Sequence, residues 1–294
     1  MATIAAPATV RPGRVGDLVL AALAPMSWGT TYVVTTTLLP PDRPLLAATL
    51  RALPAGLVLL AVARRLPTGS WWWKSAVLGM LNFGAFFPLL FFGAYRLPGG
   101  VAATIGSVQP LVVALLSILV LSARPARAVL YAALAGTGGV ALLTLTSEAR
   151  LDPLGILAML AATSLMGLAI VLAKKWGRPE SPLVMTGWQL TIGGLAIAPL
   201  TLAVEGLPAT LTGPNLLGFA YLGVFGTAIA YALWFRGIDR LAPTSVSLLG
   251  LTNPLVATVA GLAVLGQTLN GWQIAGFVLA LGALVAGQTF ARKS

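Results

Sequence analysis

The sequence predicts an all-α integral membrane protein whose ten transmembrane helices form two inverted five-helix repeats, with both termini in the cytoplasm. The first observation is composition: 58% of the 294 residues are apolar and only 9% are charged, whereas a soluble domain has about 25% charged residues. The second is a series of apolar stretches that reach the roughly 20 residues needed to cross a bilayer. The third is a match between the two halves of the chain.

Ten apolar stretches qualify as membrane spans, and proline, glycine or charged residues end each of them. The predicted spans cover residues 17–39, 44–64, 71–95, 99–121, 127–146, 153–173, 182–204, 212–236, 242–265 and 271–290. The loops between them leave no room for a soluble domain. We therefore predict cytoplasmic tails at residues 1–16 and 291–294, a first repeat over residues 17–146 and a second repeat over residues 147–290.

The basic residues predict the orientation, because lysine and arginine collect on the cytoplasmic side of a membrane protein. With the N-terminus inside, 14 of the 18 basic residues fall inside, three fall outside and one, Arg51, lies within the second span. This bias favours an even number of spans. It also explains the net charge of +11 without a nucleic-acid partner.

A repeated motif relates the two halves of the chain. IGSVQPLVV at residues 105–113 and LGLTNPLVA at residues 249–257 share an aliphatic residue, a glycine, an amide side chain and a proline, 144 positions apart. Gly79 in span 3 matches Gly223 in span 8 at the same offset. A constant offset over several spans indicates an internal duplication.

The second and seventh spans match at an offset of 138, which places Arg51 on Gln189 and Gly56 on Gly194. Each half has five spans, an odd number, so the second half enters the membrane from the opposite side. Such inverted repeats let one central site open alternately to either face of a membrane.

Glycine and proline inside the matched spans indicate bending points. In lipid they are tolerated only where protein or a water-filled cavity satisfies the backbone groups that they free. We predict that these residues act as hinges or gates around a central cavity. They are Gly79, Pro88, Gly106, Pro110, Gly223, Gly250 and Pro254.

The Ser27-Trp28-Gly29 motif of span 1, the five-helix duplication and the matched motifs of spans 4 and 9 resemble the drug/metabolite transporter superfamily. Within it, the chain resembles the ten-span EamA-type members, and in character the YddG-like exporters of aromatic and other amino acids. The resemblance extends over about residues 17–290. It implies a metabolite exporter of a bacterial inner membrane, with spans 5 and 10 as a peripheral scaffold.

Arg51 is the candidate charged residue of the site, because an ionisable residue within a membrane is costly and usually functional. Its guanidinium group could pair with a substrate carboxylate. Alternatively, its long side chain could extend to the headgroups at the outer surface or cap carbonyl groups near Pro54. The sequence leaves both alternatives open.

Aromatic and amide side chains within the spans are the other candidate substrate ligands, because a cavity lined by aromatics and a few amides suits an apolar neutral or zwitterionic solute. Packing between helices and interhelical hydrogen bonds are the alternatives for each of them. The candidates are Trp28, Asn82, Phe83, Phe87, Gln109, Trp188, Gln189, Tyr231 and Asn253.

The predicted function is export of small metabolites, foremost aromatic or neutral amino acids, by alternating access. The acidic residues lie at loops or span ends and histidine is absent, so we expect facilitated diffusion or exchange. Asp17 and Asp239, near the cytoplasmic mouth, are the carboxylates that could be exceptions. A proton-coupled multidrug exporter of the same fold and a channel are the alternatives. We expect no catalytic residues, because intramembrane hydrolysis needs histidine or paired mid-span aspartates. We also expect no metal and no cofactor, the substrate and the lipid bilayer as partners, and a functional monomer.

Overall fold

The computed structural model describes residues 14–41, 43–97, 99–144, 152–265 and 268–291. Its regular elements within these residues are all helices, and ten of them are long and apolar enough to cross a membrane. We number these helices as spans 1 to 10. They are Val15–Thr35, Pro44–Ala63, Trp71–Gly93, Val101–Leu121, Arg127–Thr144, Pro153–Trp176, Pro182–Val204, Gly213–Arg240, Pro243–Val264 and Gly271–Phe290.

The ten-span architecture predicted from the sequence is therefore confirmed. The predicted bounds hold to within a few residues, and span 8 extends furthest beyond its prediction, ending at Arg240 rather than at residue 236. Most of the predicted tails and the predicted boundary between the repeats, at residues 146 and 147, lie outside the described residues.

Five spans are uninterrupted helices and five are broken. The uninterrupted helices are Pro44–Ala63, Arg127–Thr144, Pro153–Trp176, Pro182–Val204 and Gly271–Phe290. The broken spans consist of the segments Arg14–Gly29 and Thr31–Leu38 (span 1), Trp71–Gly79, Met80–Gly84 and Phe86–Arg96 (span 3), Gly99–Ser107 and Gln109–Leu121 (span 4), Gly213–Gly223, Val224–Ile229 and Ala230–Arg240 (span 8), and Pro243–Leu249 and Thr252–Leu265 (span 9).

The breaks of spans 3 and 8 are π-helical turns at matching positions. Met80–Gly84 and Val224–Ile229 begin 144 residues apart, each directly after the glycine that the sequence matched, Gly79 or Gly223. In such a turn one extra residue enters the helix and the hydrogen bonds of its neighbours shift. The duplication therefore preserved a local backbone irregularity as well as a sequence motif.

Successive spans cross the membrane in opposite directions. Span ends that therefore lie on the same side are joined by ion pairs. We call the side where span 1 begins the N-terminal side and the other the far side. On the N-terminal side Arg65 pairs with Glu180 at 2.7 Å. On the far side Arg96 lies 3.6 Å from Asp152. The basic residues predict that the N-terminal side is cytoplasmic.

Spans 2 and 7 make the most extensive contact between any two spans and cross at two matched glycines. A Cβ atom on Gly56 would lie 2.5 Å from the Thr191 backbone nitrogen, and one on Gly194 would lie 2.7 Å from Leu53 Cα. Gly56 matches Gly194 and Leu53 matches Thr191 at the offset of 138. The two contacts are therefore one contact seen from each repeat, as expected of an interface around a two-fold axis.

Six further spans form two groups of three that the repeat also relates. Spans 3 and 4 pack against span 6, and spans 8 and 9 pack against span 1. A Cβ atom on Gly93 would lie 2.5 Å from Met159 Cγ, and one on Gly237 would lie 2.7 Å from Ala21 Cβ. Gly93 and Gly237 are 144 residues apart, and Ala21 and Met159 are 138 apart. The offset of 138 therefore also relates spans 1 and 6.

Spans 5 and 10 pack tightly against each other, with their backbones close at Gly139 and Gly276. A Cβ atom on Gly276 would lie 2.5 Å from the Leu143 nitrogen and 2.6 Å from the Gly139 oxygen. Small residues allow such close approach of membrane helices, and dispersion contacts then hold the pair together. By contrast, a Cβ atom on Gly282 of the same span would meet nothing within 4 Å.

We predict that Gly276→Ala lowers the free energy of unfolding by about 1–3 kcal/mol, because the added methyl group meets backbone atoms that cannot rotate away. Gly282→Ala is the matched control in the same helix, and we expect it to be neutral or slightly stabilising, since alanine favours the helix. Thermal unfolding of both variants in detergent measures the difference. Equal melting temperatures would contradict the packing described for this crossing.

Candidate functional site

A cavity of about 700 Å³ lies between the two three-span groups and span 2. The residues that line it come from spans 1, 2, 3, 4, 6, 8 and 9, and from Leu39, Pro40 and Pro41, which follow span 1. The lining residues are Pro25, Trp28, Thr31, Thr35, Leu39, Pro40, Pro41, Arg51, Phe86, Phe87, Leu90, Phe91, Ala102, Ala103, Gly106, Ser107, Gln109, Met159, Ala162, Thr163, Met166, Tyr231, Gly250, Asn253 and Pro254.

The cavity extends from the middle of the membrane to the far side only. Pro40 and Pro41, which follow span 1 on the far side, belong to its lining. Toward the N-terminal side it ends at Tyr231, beyond which Trp234 and Phe235 are buried. The described conformation is therefore open to one side of the membrane.

Ion pairs and hydrogen bonds hold the closed side together. Asp17 of span 1 lies 2.8 Å from Arg236 of span 8. Lys174 of span 6 donates to the Asp239 backbone oxygen at 2.8 Å, and Arg178 lies 3.0 Å from the Asp239 carboxylate. The last two contacts join the two three-span groups on the N-terminal side.

Aromatic side chains of span 3 form one wall of the cavity. Phe86, Phe87 and Phe91 lie on the segment that follows the π-helical turn, where the Ala85 nitrogen donates to the Met80 oxygen at 2.8 Å. Pro88, a predicted hinge, has no backbone N–H group to bond to the preceding turn. The π-helical turn inserts one extra residue and shifts the hydrogen bonds that follow it, and at Pro88 there is no N–H group whose hydrogen bond would have to shift.

Arg51 is bound to the π-helical turn of span 8 rather than extended toward the membrane surface. Its Nε donates to Thr227 Oγ1 at 2.8 Å and its Nη2 donates to the Gly226 oxygen at 2.9 Å. Its guanidinium carbon lies 5.0 Å from the centre of the Phe87 ring, within the range of a cation–π interaction. Only 3% of the residue is exposed.

The π-helical turn explains why polar side chains converge at this point. A π-helical turn frees carbonyl groups, and in a membrane these must find donors within the protein. Trp28 Nε1 donates to the Gly226 oxygen at 3.0 Å, and Ser27 Oγ donates to the Phe225 oxygen at 3.2 Å. The Ser27-Trp28-Gly29 motif thus anchors span 1 to span 8.

Hydroxyl and amide groups make up the polar part of the lining. Thr31 and Thr35 lie one turn apart on span 1, and within the described structure their hydroxyl oxygens are buried without a hydrogen-bond partner. Gln109 and Asn253, the matched amides of spans 4 and 9, also line the cavity. Among the described lining residues, Arg51 is the only one that carries a charge.

Six of the ten candidate substrate ligands line the cavity. They are Trp28, Arg51, Phe87, Gln109, Tyr231 and Asn253. The predicted hinges Gly106, Gly250 and Pro254 line it as well. Pro110 is buried next to the break of span 4.

The other four candidates lie outside the lining. Phe83 is fully buried, with its ring centre 5.5 Å from that of Phe87 and 4.6 Å from that of Tyr231. Asn82 Nδ2 donates to Gln189 Oε1 at 2.9 Å. Trp188 lies near the N-terminal end of span 7, where its Nε1 donates to the Arg65 oxygen at 2.6 Å.

The Asn82–Gln189 hydrogen bond is the repeat counterpart of the contact between Arg51 and Gly226. Gln189 matches Arg51 at the offset of 138, and Asn82 matches Gly226 at the offset of 144. In each case a side chain of span 2 or span 7 reaches the π-helical turn of the opposite repeat. The two repeats thus share one arrangement but differ in charge, with a cation at one position and a neutral amide at the other.

Several lining residues are not among the sequence-predicted ligands, including Thr35, Phe91, Met159, Met166 and Ser107. Their positions give no periodic signal in the sequence, because lipid-facing and cavity-facing surfaces of these spans are both largely apolar. No group of three or more residues that could hold a metal ion occurs within the described ranges.

Comparison with known proteins identifies the family. The sequence model of the EamA-like transporter family matches residues 16–145 and again residues 153–286, and the chain belongs to this family. Protein PecM of Dickeya dadantii is 48% identical over 267 residues, which cover 90% of each chain. A probable amino-acid metabolite efflux pump of Salmonella typhimurium is 29% identical and is covered over 93% of its length, against 91% of this chain.

A solved crystal structure has the same fold, with a TM-score of 0.80 at 21% identity. The match covers 95% of this chain and 99% of the other. The family and the ten apolar helices make this chain a multi-pass membrane transporter.

We predict that Thr227→Val destabilises the protein by about 1–3 kcal/mol, because the isosteric side chain takes one hydrogen-bond acceptor away from a buried guanidinium group. Thr227→Ser retains the hydroxyl group and should recover most of the loss. Thermal unfolding in detergent measures both variants. A Thr227→Val protein as stable as the wild type would show that the bond from Arg51 to span 8 contributes nothing.

Proposed function

We propose that this transporter exports small amphipathic metabolites, foremost neutral and aromatic amino acids, by alternating access of its central cavity to the two sides of a bacterial inner membrane. The observation that carries the proposal is a cavity between two repeat-related groups of spans, open to one side only and lined by aromatic rings, hydroxyls, amides and a single cation. The name of the Salmonella relative supports the substrate class and the direction.

The lining favours a solute with an apolar ring and a carboxylate. A volume of about 700 Å³ lies within the range of pockets that bind small molecules, roughly 300–1,000 Å³. Phe86 and Phe91 offer an apolar surface, and Thr31 and Thr35 offer hydroxyl groups. Arg51 gives the cavity a positive potential, which favours an anionic group and disfavours an organic cation.

The breaks of the spans supply the bending points that alternating access needs. Spans 4 and 9 are interrupted beside Pro110 and Pro254, and spans 3 and 8 contain the π-helical turns that follow Gly79 and Gly223. All four breaks lie near the middle of their spans, next to the cavity. Movement there would open the N-terminal side and close the far side while spans 2 and 7 keep their crossing.

We propose facilitated diffusion or exchange as the mode of transport. A coupled carrier usually needs a protonatable group that changes exposure together with the substrate. The described lining residues include no carboxylate. The structure therefore gives less support to a proton-coupled multidrug exporter than to a uniporter or exchanger.

We expect purified protein in liposomes to exchange radiolabelled L-phenylalanine, with saturation and with acceleration by L-phenylalanine on the opposite side. Phenethylamine is the matched probe, because it keeps the ring and lacks the carboxylate, and we expect its flux to be at least about tenfold lower, which corresponds to about 1.4 kcal/mol. In Arg51→Gln, this preference should largely disappear.

Three results would contradict parts of this proposal. Flux that rises linearly with concentration and shows no acceleration from the opposite side would indicate a pore. Equal flux of the two probes in the wild type would refute the role of Arg51 in selection. Accumulation of L-phenylalanine against its gradient, driven by an imposed pH gradient alone, would establish proton coupling.

We predict that the double variant Pro110→Ala/Pro254→Ala lowers the maximum exchange rate severalfold, because alanine lets each broken span continue as a straighter helix. The KM for the exchanged solute should change less, since neither substitution removes a polar ligand. Initial rates of exchange in liposomes give both constants. An unchanged maximum rate would show that the prolines of spans 4 and 9 are not hinges.

A further inference from the structure

The part of the cavity that opens to the far side, which we call the open half, has a repeat counterpart on the closed N-terminal side. Six residues of spans 3, 4 and 6 that line the open half have matches at the offsets established above, 144 for spans 3 and 4 and 138 for span 6. The lining residues are Leu90, Phe91, Ala102, Ala103, Met159 and Ala162. Their respective matches are Trp234, Phe235, Val246, Ser247, Ala21 and Ala24.

These six matches form one packed region between the cavity and the N-terminal side, and we call it the closed vestibule. All six are buried, five of them with no exposed surface, and none lines the cavity. They lie on spans 8, 9 and 1, the group of spans that is repeat-related to spans 3, 4 and 6. If the two repeats exchange their conformations during transport, this region becomes the wall of the cavity.

The matched residues at the boundary between the open half and the closed vestibule lie where an exchange of conformation between the two repeats requires them. Phe87 and its match Tyr231 both line the cavity, with ring centres 6.4 Å apart. Contact between matched residues is what a two-fold axis requires of residues that lie near it. One turn beyond them, span 3 continues into the open half at Leu90 and span 8 continues into the closed vestibule at Trp234.

Trp234 carries a second, independent sign of a ligand. It is fully buried, and within the described part of the chain its indole Nε1 has no hydrogen-bond partner. Its ring centre lies 5.2 Å from that of Trp28, whose own Nε1 does have an acceptor. A buried donor without an acceptor is costly, and native proteins retain few such groups without a reason.

We propose that the closed vestibule forms the substrate path when the N-terminal side opens, and that the Trp234 indole N–H donates a hydrogen bond to the substrate there. The inference rests on the alternating access proposed above and adds a specificity-determining residue to it. At the matched position of the open half, Leu90 offers no hydrogen bond. The substrate thus meets a polar aromatic group from the N-terminal side and an aliphatic one from the far side. A carboxylate or carbonyl oxygen is the group that an indole N–H would bind.

The first test asks whether the closed vestibule opens, and it needs no transported substrate. The chain has no cysteine, so Ser247→Cys and its match Ala103→Cys each carry a single thiol. In membrane vesicles of known orientation, we expect a membrane-impermeant thiol reagent to label Ala103→Cys from the far side. We expect it to label Ser247→Cys from the N-terminal side only. Val246→Cys is a second reporter in case Ser247→Cys does not fold.

If both folded reporters stay unlabelled from the N-terminal side, the path through the closed vestibule is overturned. Their labelling would support the path even if the solute panel contained no substrate. Failure of the inference and failure of the proposed substrate class are therefore distinguishable.

The second test asks whether the indole N–H binds substrate, with L-phenylalanine as the probe. Trp234→Phe keeps an aromatic ring and removes the donor. We expect its KM from the N-terminal side to rise by up to about tenfold, as for the loss of one buried hydrogen bond, with the KM from the far side unchanged. Trp72→Phe, at a residue that is 53% exposed, is the matched control and should change neither constant.

A KM for Trp234→Phe that is unchanged on both sides would overturn the proposed hydrogen bond. An equal rise on both sides would also overturn it, because that result indicates a general structural effect. A rise confined to the N-terminal side supports the proposal, since a merely structural role would not distinguish the two sides.

Discussion

The carbonyl oxygen of Gly226 is the point on which the candidate site depends. Within a bilayer, the carbonyl groups that a π-helical turn frees need donors from the protein or from a water-filled cavity, and because Gly226 is buried its donors come from the protein. Trp28 and Arg51 supply them from spans 1 and 2. The same two side chains line the cavity. The requirement to satisfy one backbone group therefore fixes the relative positions of three spans and places an aromatic ring and a cation at the centre of the membrane.

The cation at this position has a cost that its surroundings must offset. Removal of a charged group from water costs several kcal/mol even after relaxation of the protein. Hydrogen bonds to Gly226 and Thr227 and the ring of Phe87 compensate part of this cost. In the other repeat, Gln189 and Asn82 form the equivalent contact as a neutral pair, which needs far less compensation. At this pair of matched positions the duplicated architecture therefore has to compensate one buried charge and not two.

The sequence predicted the parts of this fold that depend on hydropathy and on repetition. Ten apolar stretches, the basic residues between them and the constant offsets were sufficient for the spans and the inverted repeat, because lipid imposes length and polarity on every span alike. The direction of individual side chains was less predictable. Phe83 and Phe87 lie one turn apart on the same span, yet only Phe87 reaches the cavity, since the π-helical turn shifts the register between them. Trp188 is an aromatic residue within a span, as the cavity residues are, but its indole N–H donates to the Arg65 backbone oxygen near the end of span 2, away from the cavity.

The difference between the two halves bears on how such a carrier would work. Leu90 and Phe91 in the open half match Trp234 and Phe235 in the closed vestibule, so the two conformations would present unequal surfaces to one solute. A ligand shifts an equilibrium only by its differential affinity for the two states, and unequal surfaces supply such a difference. Without a coupled energy source, however, the free-energy change of transport depends on the solute gradient alone. A higher affinity on one side must then be balanced by the rates and populations of the empty states. The unequal walls would therefore set the concentration at which each side saturates, whereas the metabolism that produces the solute would set the direction of its net movement.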